Sequence, residues 1–171
     1  MIKNTLLIKG NTREDGNTDH AIRHVLGKLE IETVELSEKN ISYYDYEHRN
    51  ADDDFLKIAE MMTRNDKIIL ATPVYWFSMS ALMKTFIDRW SDLITIRKDI
   101  GRALAGRELF VITSYGNAFP MGYEDPFRLT CDYMDMRFGG CYYHYSGKDT
   151  YTLEQNARQA DSFKILLGIE I

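Results

Sequence analysis

The sequence predicts an α/β domain in which a parallel β-sheet is covered by helices on both faces. Three observations carry this. Short apolar runs alternate with segments of helical periodicity, the alternation repeats about five times, and 171 residues suit one domain.

Thr5 to Ile8 form the first strand, ended by Gly10. Ala21, Ile22, Val25, Leu26 and Leu29 then recur at helical spacing and define one buried stripe. Ile31 to Leu36 read as a second strand. Phe55, Ile58, Ala59 and Met62 mark a second helix, introduced by Asp52, Asp53 and Asp54, residues suited to a helix start. Lys67 to Ala71 form the clearest buried strand, which Thr72 and Pro73 are expected to stop. A third helix carries Leu82, Met83, Phe86, Ile87 and Trp90 on one face. Leu109 to Ile112 give a fourth strand, and Phe127, Cys131, Met134 and Phe138 line a fourth helix. Cys141 to Tyr145 read as a polar fifth strand at a sheet edge, and residues 151 to 167 as a closing helix. Five such units in one small domain suggest, by analogy, a flavodoxin-like three-layer sandwich of strand order 2-1-3-4-5. In that topology ligands bind beyond the carboxyl ends of the strands, so the loops after strands 1, 3 and 4 become the candidate site.

Composition narrows the function classes. Apolar residues make up 44% and charged residues 27% of the chain, ordinary values for a globular protein. The 21 basic and 26 acidic side chains give a formal charge of −5, and no Lys/Arg block appears, which argues against nucleic-acid binding. No apolar run approaches the roughly 20 residues of a membrane helix, so no membrane partner is expected. The start, Met1-Ile2-Lys3-Asn4, runs into an apolar strand rather than a signal sequence. Cys131 and Cys141 are too few for a disulfide framework and lack metal-ligand spacing, so a cytoplasmic setting with reduced thiols is expected.

The loop after strand 1, Lys9 to Thr18, is dense in hydroxyl, amide and glycine residues. Such a loop offers backbone N–H groups, side-chain donors and a helix N-terminus to a phosphate. It matches neither the triphosphate nor the dinucleotide glycine pattern, which leaves a phosphate monoester as the better fit. A plain turn capped by Asn17 or Thr18 explains the same residues. The loop after strand 3 places Tyr75, Trp76 and Phe77 in succession. Three adjacent aromatics cannot all point inward, so some are exposed or cover a ligand, and a flat conjugated ring is a natural partner. Sealing the start of the third helix is the structural alternative.

Taken together, GNTRxxGNT from Gly10 to Thr18 and PVYWxSxSAxxKxFIDR from Pro73 to Arg89 resemble the NAD(P)H-dependent FMN reductase-like flavoproteins of the flavodoxin superfamily. The likeness continues through Gly106 to Gly116 and covers most of residues 3 to 117. It implies that Asn11, Thr12, Arg13, Gly16, Asn17 and Thr18 hold the FMN phosphate, although the family usually has Ser where this chain has Asn11. It further implies that Pro73, Val74, Tyr75, Trp76, Phe77 and Ser78 line the isoalloxazine ring, with Ser114, Tyr115, Gly116 and Asn117 approaching from strand 4. Iron-sulfur relatives carry a cysteine motif after strand 2. Here that stretch, Ile41 to Asn50, has no cysteine, so no cluster is expected there.

Other features are weighed as structural. His20 and His24 have metal-pair spacing but lie opposite the apolar stripe with no third ligand, which predicts a solvated face. Cys131 falls on an apolar stripe and is expected to be buried and inert. Lys84 and Asp88 are spaced for an ion pair, though Asp88-Arg89 belongs to the family signature and could serve a subunit contact. Tyr43, Tyr44 and Tyr46 either wall the ring pocket or reach a partner.

The function expected from the resemblance is an FMN oxidoreductase that accepts hydride from NADH or NADPH and passes electrons to a small acceptor such as a quinone or free flavin. The flavin does the chemistry, so no catalytic side chain is named. A homodimer is implied. A flavodoxin-type electron carrier and a non-enzymatic flavin-binding module are the rival readings.

Overall fold

The computed structural model describes residues 4–170. The expected start without a leader rests on Met1 to Lys3 and lies outside them. Five strands, β1 (Thr5–Lys9), β2 (Glu32–Glu35), β3 (Lys67–Pro73), β4 (Glu108–Tyr115) and β5 (Arg137–Tyr145), form one sheet of order β2-β1-β3-β4-β5. Every pairing is parallel, as the alternation of strands and helices requires. The central strands are buried on both faces, so they read as continuous apolar runs rather than alternating ones.

Successive residues of a strand point to opposite faces, and this divides the core in two. Leu7, Ile69, Phe110 and Ile112 pack under α1 (Asn17–Leu26) and α7 (Thr150–Leu167). Leu6, Ile8, Ile68, Leu70, Leu109 and Val111 pack on the other face under α2 (Phe55–Thr63), α3 (Ala81–Asp88), α4 (Ser91–Thr95), α5 (Lys98–Ala103) and α6 (Asp125–Tyr133). No helix among the described residues is long and apolar enough to cross a membrane.

The structure departs from the sequence reading in four places. Thr72 and Pro73 do not stop β3. They stay paired with Thr113 and Ser114, and the Val74 N–H continues the ladder to the Ser114 carbonyl at 2.9 Å. Phe138 is not on the fourth helix. That helix ends at Tyr133, Asp135 takes a left-handed φ of 54°, and Phe138 belongs to β5. β5 therefore starts at Arg137. Its opening is masked in the sequence by Gly139 and Gly140, poor strand formers. Gly139 is needed there, because a Cβ would stand 2.3 Å from a Phe110 ring carbon. Finally, the short helices α4 and α5 fill a stretch that shows no clear helical stripe.

Candidate cofactor site

At the carboxyl edge, β1 extends through Gly10, whose N–H donates to the Ala71 carbonyl at 2.8 Å. The chain then loops to Gly16, the N-cap of α1. The first amides of that helix have no intrahelical acceptor, and the helix dipole makes their end attractive to an anion. Asp19, in the first turn, braces the loop from beneath. Its carboxylate accepts from the Gly16 N–H at 3.3 Å and from Asn11 Nδ2 at 3.2 Å. A bare carboxylate would repel a phosphate, but Lys9 Nζ lies 2.8 Å from Asp19 Oδ1. Burial pulls the Lys9 pKa down, and the bonds and charges of Asp19 and Glu35 outweigh this and leave it raised. The Lys9 ammonium thus sets a positive charge beside the Asp19 and Glu35 carboxylates.

Asn11 Nδ2 also donates to the Arg13 carbonyl at 3.1 Å, so its amide donors face the protein. Its Oδ1 is buried and has no protein partner among the described residues. Thr18 Oγ1 lies 3.0 Å from Ser114 Oγ, joining α1 to the end of β4.

On the other side, Tyr75 to Ser78 form a tight turn closed by two backbone bonds, Tyr75 N–H to Ser78 at 2.8 Å and Ser78 N–H to Tyr75 at 3.0 Å. Both central residues are left-handed, Trp76 at φ 49° and Phe77 at φ 62°. Such a conformation costs about 1–2 kcal/mol per non-glycine residue. It turns Trp76 into solvent, 95% exposed.

Between these loops lies a cleft of about 280 Å³, lined by Asn11, Arg13, Gly16, Asn17, Thr18, Pro73, Val74, Tyr75, Ser114, Tyr115 and Gly116. Every one of these residues is among those the sequence singles out. Of the others, Thr12 faces a neighbouring depression with Lys9, Glu35, Ser37 and Glu38. Trp76, Phe77, Ser78 and Asn117 are exposed and do not line the cleft. Tyr115 stacks in tilted fashion on Tyr145, ring centroids 5.3 Å apart, and burial pushes its phenol pKa up. The cleft thus offers a cation, an amide, a hydroxyl and a helix N-terminus from the loop after β1, and aromatic and aliphatic surface from the loops after β3 and β4. That donor set fits a phosphate monoester joined to a planar ring.

The profile of the NADPH-dependent FMN reductase family matches residues 4–161. The chain belongs to this family. The family is one of NAD(P)H-dependent FMN oxidoreductases, with FMN as cofactor and a nicotinamide as electron donor. A Bacillus subtilis protein, YwqN, named as an NAD(P)H-dependent FMN-containing oxidoreductase, is 32% identical over 119 residues, 65% of this chain and 66% of that one. An iron-sulfur flavoprotein of Archaeoglobus fulgidus is 33% identical over 97 residues, 48% of this chain but only 43% of that one. Among solved structures, the Trp repressor binding protein from Bacillus subtilis superposes with a TM-score of 0.74 at 26% identity, over 95% of this chain and 97% of that one.

The remaining sequence features also find their places. The tyrosine-bearing loop after β2 is fastened by Arg89, which is fully buried. Its guanidinium binds Asp53, Asp92 Oδ2 at 2.8 Å, and the carbonyls of Ser42 at 3.2 Å and Asn50 at 3.3 Å, and it lies 4.8 Å from the Phe55 ring. His48 Nδ1 lies 2.8 Å from the other Asp92 oxygen. Arg89 of the family signature is therefore a structural anchor, while Asp88 is exposed and pairs with Lys84. Tyr43 and Tyr46 are 81% and 87% exposed and do not line the cleft. Cys131 is buried as expected, and burial raises its thiol pKa to about 12, which keeps it protonated.

His24 corrects one expectation. It is half-buried rather than solvated, because β5 brings His144 against it with ring centroids 4.9 Å apart. The sequence reading also missed Lys9, Asp19, Ser80, Thr72, Thr113 and Tyr123 as supports of the site. The S-x-S step at Ser78 and Ser80, just ahead of a helical stripe, was the available signal for Ser80 as a helix cap.

Proposed function

We propose that the cleft takes FMN, with its phosphate on the loop from Asn11 to Thr18 and its ring beside Pro73 to Tyr75 and Ser114 to Gly116. The chain then uses NADH or NADPH to reduce a small diffusible acceptor such as a quinone or a free flavin. The observation that carries this reading is that one cleft is lined from both kinds of loop: by Arg13, Asn17, Thr18 and the start of α1, and by Tyr75 and Tyr115. FMN, when bound, supplies redox chemistry that no side chain here possesses. The protein's part is to bind, orient and limit access. Thr12, Trp76, Phe77, Ser78 and Asn117 border the site.

A small acceptor is supported by the turn at Trp76, whose side chain is exposed and does not line the cleft. A homodimer is supported by exposed Ile94 on α4 and exposed Leu129 and Tyr133 on α6, an apolar surface suited to burial. The two free cysteines suit a reducing compartment.

The test is anaerobic rapid mixing of the FMN-loaded protein with each nicotinamide. Direct loss of the oxidised flavin absorbance is expected with at least one of them. If neither bleaches the flavin while dithionite does, the chain is a carrier that reacts with protein partners.

A further inference from the structure

Near the cleft a line of buried hydroxyls runs from the start of α3 across β3 and β4. Ser80 Oγ donates to the Gly10 carbonyl at 2.5 Å and accepts from the Met83 N–H at 3.2 Å, capping α3. Thr72 Oγ1 donates to Ser80 Oγ at 3.2 Å and accepts from the Ser80 N–H at 3.0 Å. Thr113 Oγ1 donates to the Thr72 carbonyl at 2.7 Å and lies 3.1 Å from the Tyr123 hydroxyl. Ser80, Thr72, Thr113 and Tyr123 are all buried, so these bonds form where water does not compete. The line joins the start of the phosphate-suited loop, the end of the aromatic loop and the end of the loop after β4.

We propose that Ser80 is a positioning residue that sets the preference for FMN over riboflavin. This rests on the reading of the cleft as an FMN site. A trans peptide is planar, with its C=O and N–H pointing in opposite directions. Holding the Gly10 carbonyl therefore fixes the direction of the Asn11 N–H, the first amide of the loop. The approach is close. A Cβ at Gly10 would stand 3.0 Å from Met83 Cβ and Cε and 3.3 Å from Ser80 Oγ, so a side chain at residue 10 would crowd the contact. Ser80 touches the loop that would hold phosphate and lines no part of the cleft itself. Tyr123, at the far end of the line, belongs to the loop after β4 and acts on the ring side.

Titration of FMN and of riboflavin into the apo protein, read by flavin fluorescence, tests this alongside thermal melting. Ser80→Ala is expected to weaken FMN about tenfold, the effect of one lost hydrogen bond, and to leave riboflavin within about twofold. Ser80→Cys keeps the size but donates weakly, and gives the same result if Ser80→Ala does not fold. Ser80→Thr retains the hydroxyl and the wild-type ratio. Tyr123→Phe moves both flavins by the same factor. A merely structural Ser80 would lower the melting temperature and weaken both flavins alike in Ser80→Ala and Ser80→Cys, and that result overturns the proposal. A wild-type chain that binds neither flavin overturns the FMN reading itself.

Discussion

Lys9 Nζ stands 2.8 Å from Asp19 Oδ1 and 2.6 Å from Glu35 Oε1, one ammonium shared between the first turn of α1 and the end of β2. Lys9→Met removes the cation shared by Asp19 and Glu35 and leaves their carboxylates unpaired near the phosphate-suited loop. A net unit charge near a partly buried anion is worth on the order of 1 kcal/mol, so FMN should bind roughly five- to tenfold more weakly. Riboflavin, which lacks the phosphate charge, should change little. Parallel titrations at low and high salt check this: the FMN deficit should shrink with salt. Equal losses for both flavins would refute the electrostatic account.

Asn17 offers a cleaner separation of binding from stability than its sequence suggests. Gly16, not Asn17, is the N-cap of α1, and no bond from the Asn17 side chain is present among the described residues. Asn17→Ala should therefore leave apo-protein stability within about 0.5 kcal/mol. As a ligand to a phosphate dianion, its loss should weaken FMN by about 1.5–3 kcal/mol. Urea unfolding of the apo form beside FMN titration measures both, and an unchanged affinity removes Asn17 from the site.

His144 predicts an acid-labile fold. Burial, with the neighbouring charges of His24 and His20, lowers its pKa to about 4 from an ordinary 6.5. The unfolded chain then takes up a proton between pH 6.5 and 4 that the native chain refuses. Its contribution is fully present above pH 6.5 and falls as pH drops through that window, by at most about 3 kcal/mol. His24, whose pKa burial also lowers, adds to the slope. Tyr142, whose hydroxyl lies 3.2 Å from His144 Nδ1, remains neutral throughout. Urea midpoints across this range should fall steeply for the wild type and less steeply for His144→Gln. Identical slopes would rule the histidine out.

Arg89→Met should destabilise the chain by about 3–5 kcal/mol, since Asp53 and Asp92 would be left buried without their cation. Neutralising both in the triple variant Arg89→Met, Asp53→Asn, Asp92→Asn should recover part of the loss. Thermal melts of the single and triple variants decide it. A single variant that melts like the wild type would show that the cluster is dispensable.

The fold was legible because its signals are local. Lys67 to Ala71 or Leu109 to Ile112 announce buried strands by apolar composition alone, and Ala21 to Leu26 a helix by spacing, with Leu29 falling just past its end. The misreadings have local causes too. Phe138 continues the helical spacing of Phe127, Cys131 and Met134, and only the left-handed Asp135 breaks it. The residues that line the cleft were legible for a different reason, as motif positions in two loops. Their supports were not. Ser80 meets Gly10 across 70 residues, and Thr113 meets Thr72 across 41. Nothing near a serine or threonine in the sequence announces such a partner.

The Arg89 anchorage has a bearing on what keeps the loop after β2 in order. The segment after β2 has no cysteine between residues 41 and 50. Here the same segment is tied down by a guanidinium, two carboxylates and two carbonyls. Oxygen and peroxide, which attack thiolate-held clusters, find no thiolate in residues 41 to 50. What holds this segment is charge pairing and hydrogen bonding, so its order depends on the buried cation at residue 89.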